Sequence, residues 1–138
     1  MDKINPQRRS QNMAAIKSKN MKPEMIVRRL AHKLGYRYRL HAKDLPGKPD
    51  LVFRKRRKVI FVNGCFWHQH DAQGCLDSRR PKSNRDYWNK KLQTNVERDR
   101  RNLEALKQAG WSAIIIWDCE TKDTGPLSLK IAHFLKTQ

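Results

Sequence analysis

Three metal-binding side chains stand at equal intervals in one short stretch, Cys65-x4-His70-x4-Cys75. A further cysteine, Cys119, follows the apolar run Ser112–Trp117. Three thiolates and one imidazole make a complete tetrahedral ligand set for a closed structural zinc. The short intervals let a loop wrap the ion, and the distant ligand would staple that loop to a sheet. The competing interpretation is three buried thiols and a surface histidine. An odd number of cysteines fits a secreted disulfide framework poorly and metal ligands or free thiols better. Zinc at Cys65, His70, Cys75 and Cys119 is therefore expected.

A second candidate lies upstream. Pro49-Asp50 sits where a turn, Leu45–Asp50, enters an apolar run. A divalent metal at a phosphodiester needs a carboxylate on a rigid element, with further oxygen ligands from a neighbouring strand. Restriction-endonuclease-like nucleases follow such a Pro-Asp with Glu-x-Lys, but here Val62-Asn63-Gly64 occupies that place. Alone, the pair reads equally well as a turn aspartate bonded to its own backbone.

Charge bounds the partners. The chain has 138 residues, which suits one domain with a modest core, and 31 Lys and Arg against 13 Asp and Glu give a net charge of +18. A field of that sign recruits polyanions, nucleic acid above all. Ribosomal proteins share this composition, so charge does not separate an enzyme from a scaffold. No apolar run approaches the roughly 20 residues of a membrane helix, and no signal-peptide core opens the chain. A soluble, cytoplasmic protein with no membrane partner is expected.

The elements that must position these residues can be read from periodicity. Residues 1–20 are polar and basic, an arm preceding a domain over 21–138. Pro23 opens a helix with Ile26, Val27, Leu30, Ala31 and Leu34 on one face, and Gly35 ends it. Tyr36–Leu40 alternates as a half-buried strand does. Leu51–Phe53 and Val59–Val62 form a hairpin across the basic Arg54–Lys58, and an irregular region runs from Asn63 to about Lys82. Ser83 with Asp86 suggests a capping box for a long helix carrying Trp88, Leu92, Val96, Leu103 and Leu106, closed by Gly110. Ser112–Trp117, with three consecutive isoleucines, is expected as a central strand, and a last helix over about Leu127–Lys136. The order predicts an α/β fold, a mixed sheet flanked by helices.

Read together, several motifs resemble those of the very short patch repair endonucleases, DNA mismatch nucleases with a modified restriction-endonuclease-like fold. They are Arg9-Ser10-Gln11-Asn12-Met13, Leu45-Pro46-Gly47-Lys48-Pro49-Asp50, Val59–His70, Asn95-Val96-Glu97-Arg98-Asp99-Arg100-Arg101 and Gly110-Trp111 with Trp117-Asp118-Cys119. The resemblance implies a Mg2+-dependent nick 5′ of the thymine in a T:G mismatch left by deamination of 5-methylcytosine. It assigns Asp50 as the bridging carboxylate and the Val62 carbonyl as a backbone ligand for magnesium. His68 becomes general base, and Glu24, at the positive start of its helix, orients water. The zinc set is again Cys65, His70, Cys75 and Cys119. It further implies double-stranded DNA as substrate, mismatch-repair proteins as partners, a monomer and a nucleoid location.

Two positions depart from a well-known member, which has threonine at Val62 and histidine at Asn63. A backbone ligand survives the first change. The second leaves Asn63 able only to orient or hydrogen-bond. For Glu24 and His68 the plainer alternatives are a helix-dipole partner and a packed loop histidine. Phe66 and Trp67 are costly on a polar loop unless they insert elsewhere. Aromatic wedges unstack base steps at a few kcal/mol, and a mismatch resists least. Phe66, Trp67 and Trp88 are the expected intercalating or supporting residues, Trp88 fitting a core stripe equally well. Two rival functions are a non-catalytic, zinc-stabilised nucleic-acid-binding module and a nuclease of the same fold with another DNA target.

Overall fold

The computed structural model describes residues 22–70, 75 and 79–137. The basic arm expected over 1–20 lies outside them. Helix α1 (Pro23–Lys33) starts on Pro23, whose missing N–H is one that a first turn leaves unbonded anyway. Val27 and Ala31, one turn apart, are fully buried, and Gly35 at φ 90° ends the helix in left-handed backbone where a Cβ is unfavourable.

Strand β1 (Arg39–Leu40) is shorter than the expected Tyr36–Leu40. It pairs with β2 (Leu51–Phe53) as Arg39↔Val52 and Leu40↔Leu51, so a three-residue partner limits the ladder. Tyr36 and Tyr38 instead rest edge-on against Phe53, at centroid distances of 6.4 and 6.2 Å. A 3-10 turn (Arg54–Arg56), with Arg57 left-handed at φ 55°, leads into β3 (Lys58–Asn63). Helix α2 (Arg85–Gln108) then crosses to β4 (Ser112–Trp117), and a 3-10 turn (Asp118–Lys122) precedes helix α3 (Thr124–Lys136).

Two helix starts differ from expectation. Asn84, at φ 54°, is the N-cap of α2 and makes no side-chain cap bond, so the Ser83/Asp86 capping box does not form. Asp86 still lies in the positive first turn. Helix α3 starts three residues earlier than Leu127, because Asp123 Oδ1 accepts the Gly125 N–H at 3.3 Å and caps the turn.

Among the described residues, four strands form one mixed sheet in the order β1-β2-β3-β4, antiparallel up to β3 and parallel between β3 and β4. The isoleucine-rich β4 is thus an end strand, not the expected central one. Helices bury it rather than neighbouring strands. Ile116 packs with Leu127, Ile131 and Leu135 of α3, and Ile114 rests on the same cluster. That cluster holds Val27, Leu51 and Ile60 as well, all on one face of the sheet. Val52, Val59 and Leu106 form a second core on the other face, with Phe61 and Ala113 against it. Successive strand residues alternate between the two cores, as the pleat requires. The result is α/β: α1 and α3 on one face, α2 on the other. No helix among the described residues is long and apolar enough to cross a membrane.

The two faces of α3 should therefore respond differently to truncation. Ile131 is fully buried and Leu129 is 74% exposed. Ile131→Ala should lose about 2–5 kcal/mol of stability, the usual result of emptying a core position, whereas Leu129→Ala should stay within about 0.5 kcal/mol. Urea melts of the two variants check this.

Candidate active site and metal centre

Asp50 is fixed by the β2–β3 pairing. Its N–H donates to the Ile60 carbonyl at 3.1 Å, and its Oδ2 accepts the Val62 N–H at 2.7 Å. The turn that delivers it is squeezed against the sheet. A Cβ on Gly47, at φ 77°, would stand 3.1 Å from both Asn102 Cβ and the Phe61 ring, so the close approach needs glycine. Burial pushes the Asp50 carboxyl above the usual carboxylate range; the Val62 amide opposes this and the Glu24 carboxylate adds to it. A carboxylate desolvated beside another carboxylate favours a cation.

Two sets of side chains meet at Asp50. Glu24, from the first turn of α1, and His41, just after β1, approach it from one side. His41 Nε2 lies 3.6 Å from Glu24 Oε2, and its Nδ1 lies 3.9 Å from Asp50 Oδ1. One ligand atom from each of the three lies within 4.8 Å of the others, so this group could hold a metal ion. Glu24 also pairs with Arg28, one turn along α1. On another side, an open groove is lined by Lys48, Asp50, Val62, Asn63, His68 and Asp99. In it His68 Nδ1 and Asp99 Oδ2 are 2.5 Å apart.

The structure thus brings Asp50, Val62, Asn63 and His68 to one groove, with Glu24 reaching Asp50 beside it. The Val62 amide has a use the sequence did not suggest, as the donor that holds Asp50. Two groups were missed. Asp99 lies in the charged stretch Asn95–Arg101 of α2, which reads as a solvated helix face until that helix packs on the groove. His41 follows an alternating strand and looks like one more polar position.

A second centre lies past the end of β3. Residues Cys65, His70, Cys75 and Cys119 converge, with one ligand atom from each within 4.8 Å of the others. His70 Nδ1 is 3.7 Å from Cys65 Sγ and 3.4 Å from Cys119 Sγ. Sulfur and nitrogen on one tetrahedral zinc stand about 3.5 Å apart, given the usual bond lengths, so the donor set and its spacing could hold that ion. The His70 ring stacks on Trp117 at 4.4 Å, and the His70 backbone N–H donates to the Cys65 carbonyl at 2.9 Å. Burial pushes the Cys65 thiol up to about 12, with the Cys119 and Cys75 sulfurs adding to it. Cys119 sits in the 3-10 turn after β4. Glu120 fixes that turn by accepting the Trp117 N–H at 3.0 Å and pairing with Lys130 of α3 at 2.8 Å.

Between the two centres the loop carries an aromatic knot. Phe66 meets Trp67 at 5.1 Å and Trp88 of α2 at 5.5 Å, and Trp67 meets Trp88 at 5.8 Å. Trp67 is 46% exposed, while Phe66 and Trp88 are half-buried. Tyr87, also missed, extends the knot to solvent, 5.1 Å from Trp88. Asn95 anchors the loop by donating to the Trp67 carbonyl at 3.2 Å.

Similarity to known proteins identifies the family. The family described as DNA mismatch endonuclease Vsr matches residues 1–74. A type II nicking enzyme, V.XorIIP, of Xanthomonas oryzae pv. oryzae is 48% identical over 134 residues, covering 97% of this chain and 96% of its own. The DNA mismatch endonuclease Vsr of Escherichia coli K12 is 39% identical over 111 residues, covering 80% of this chain and 69% of its own. A third relative, the type II nicking enzyme V.HpaIIP of Haemophilus parainfluenzae, is 36% identical over 135 residues, or 95% and 93% of the two chains. The non-catalytic binding module is thereby set aside: the chain belongs to the Vsr family of DNA mismatch endonucleases and acts on DNA as an endonuclease.

Proposed function

We propose that this endonuclease makes a Mg2+-dependent single-strand nick 5′ of the thymine in a T:G mismatch, on a restriction-endonuclease-like scaffold. The observation that carries the reading is the meeting at Asp50. Its carboxylate is held by the Val62 amide, flanked by Glu24, and opens on the same groove as the His68–Asp99 pair. The names of the relatives, mismatch endonuclease and nicking enzyme, support the substrate and the single-strand outcome.

The site residues divide the work by position. Asp50, with Glu24 and the Val62 carbonyl, would hold the divalent ion, which when bound supplies Lewis-acid stabilisation of charge on the phosphate. Asp99 accepts from His68 Nδ1, which orients the ring and leaves Nε2 as the proton acceptor. His68 takes the proton of the attacking water there, and the Asp99 carboxylate stabilises the imidazolium that forms. Asn63, buried at the groove wall, orients by hydrogen bonding. Lys48 lines the same groove and offers a positive charge to phosphate.

Zinc on Cys65, His70, Cys75 and Cys119 would be structural, since four protein ligands leave no open position. It would pin the loop that carries His68 and the aromatic knot. Trp67, exposed at the tip, and Phe66, braced by Trp88, then act as the wedge at the mismatch. The basic arm over 1–20 would add phosphate contacts, and a monomer acting on nucleoid DNA, handing its nick to mismatch-repair proteins, completes the reading.

Three outcomes are expected. Asp50→Asn should abolish nicking of a T:G duplex, and His68→Ala or Asp99→Asn should slow it by roughly 10²-fold or more, the scale of a lost general base. Gel-shift affinity should remain in all three, because the basic surface is untouched. Wild-type nicking by Asp50→Asn would overturn the assigned site. Elemental analysis should find about one zinc per chain, and a strong chelator should lower the melting temperature as it removes the ion. Trp67→Ala should keep its melting temperature yet lose on the order of 1–3 kcal/mol of preference for mismatched over paired duplex, read by competition binding.

A further inference from the structure

We propose that His41 is a third protein ligand of the Asp50 metal site, making it a mixed nitrogen–oxygen site that prefers Mn2+ over Mg2+. This rests on the reading of Asp50 and Glu24 as metal carboxylates, and adds a ligand and a selectivity to it.

Three separate elements place the group. Glu24 comes from α1, His41 from the turn after β1, and Asp50 from the entry to β2. His41 adopts left-handed backbone, φ 51°, which a side-chain-bearing residue takes at a cost. Its N–H donates to the Asp50 carbonyl at 3.1 Å, so the conformation is held by the strand that carries Asp50. The ring then stands 3.6 Å from a Glu24 oxygen and 3.9 Å from an Asp50 oxygen. Neighbouring ligands of one octahedral ion with bonds of about 2.1 Å stand about 3 Å apart. The two distances are from opposite ring nitrogens, of which one ion takes only one. With one ligand atom from each residue within 4.8 Å of the others, a contraction of up to about 2 Å, with one nitrogen turned inward, would bring these three onto one ion.

The surrounding charges agree with that use. Two carboxylates face each other, and Arg28 pairs with Glu24, its Nη2 3.5 Å from His41 Nε2. One guanidinium offsets only one of the two carboxylate charges, and a dication between them would balance the remainder.

Donor chemistry sets the selectivity. Carboxylate and carbonyl oxygens suit Mg2+, whereas an imidazole nitrogen favours transition metals. Mn2+ binds oxygen sites too, so tight Mn2+ binding alone decides nothing. The decisive observable is nitrogen on the ion and its dependence on His41.

The test uses zinc-loaded full-length protein, in which the thiolate centre is already filled. Mn2+ is titrated by EPR, Mg2+ by competition against it, and bound Mn2+ is examined by pulsed EPR for 14N modulation. Wild type should show imidazole nitrogen, and His41→Gln should lose it. Mn2+ affinity should fall at least about tenfold in His41→Gln, the lower end of what a lost supporting group costs a metal site. Mg2+ affinity should change by less than about threefold, since that ion gains little from imidazole. Asp50→Asn separates the two levels of failure. If Mn2+ binding needs Asp50 but shows no 14N modulation, or modulation that survives His41→Gln, the His41 assignment is wrong and the Asp50 reading stands. If Mn2+ binding is unaffected by Asp50→Asn, both are wrong.

Discussion

Strand β3 is the constraint on which both centres depend. It pairs with β2 on one side, Leu51↔Ile60, and with β4 on the other, Ile60↔Ile114. The first register sets Asp50 beside Val62. The second sets Asn63 opposite Trp117, so the residues just beyond each strand, Cys65 and Cys119, emerge side by side. A one-residue slip would invert every β3 side chain and exchange the two cores. Val59 and Ile60, fully buried on opposite faces, make such a slip expensive, each burial being worth about 1.5–3 kcal/mol. The register that satisfies the core is the register that assembles the chemistry.

From that strand the loop runs through Cys65, Phe66, Trp67, His68 and His70 in six positions. Such crowding makes one conformation serve several purposes. The thiol and imidazole turn inward to the Cys3His group, His68 turns to Asp99 on α2, and Trp67 turns outward. Each direction restrains the others. In the proposed reading this is how one metal-pinned loop couples mismatch sensing to the placement of the general base. The net charge of +18 supplies sequence-independent affinity for DNA, and in that reading discrimination is left to a few aromatic groups.

Local signals in the sequence carried much of this. Pro23 and Gly35 bracket α1, and the apolar runs located β2, β3 and β4, because each turns on a short-range preference. The four members of the Cys3His group were legible because cysteine is scarce and its spacing is informative. What was not legible depends on tertiary packing. Three isoleucines looked like a central strand, yet helices α1 and α3 bury β4 at the end of the sheet. Tyr36–Leu40 alternated correctly but found only three residues to pair with. Asp99 falls inside the motif Asn95–Arg101 but gains no role from it, and His41 carries no local mark. Each acquires a partner only when elements 31 and 9 residues away in sequence, at His68 and Asp50, are folded against it.

The central claim is that this geometry cuts one strand beside a mismatched thymine. Two duplexes identical except for a T:G or C:G pair, each strand separately end-labelled, should be incubated with the protein and Mg2+ and the products mapped to single nucleotides. The account predicts a single nick, immediately 5′ of the thymine, in the T:G duplex alone. Equal cutting of the C:G duplex, or scission of both strands, would contradict it.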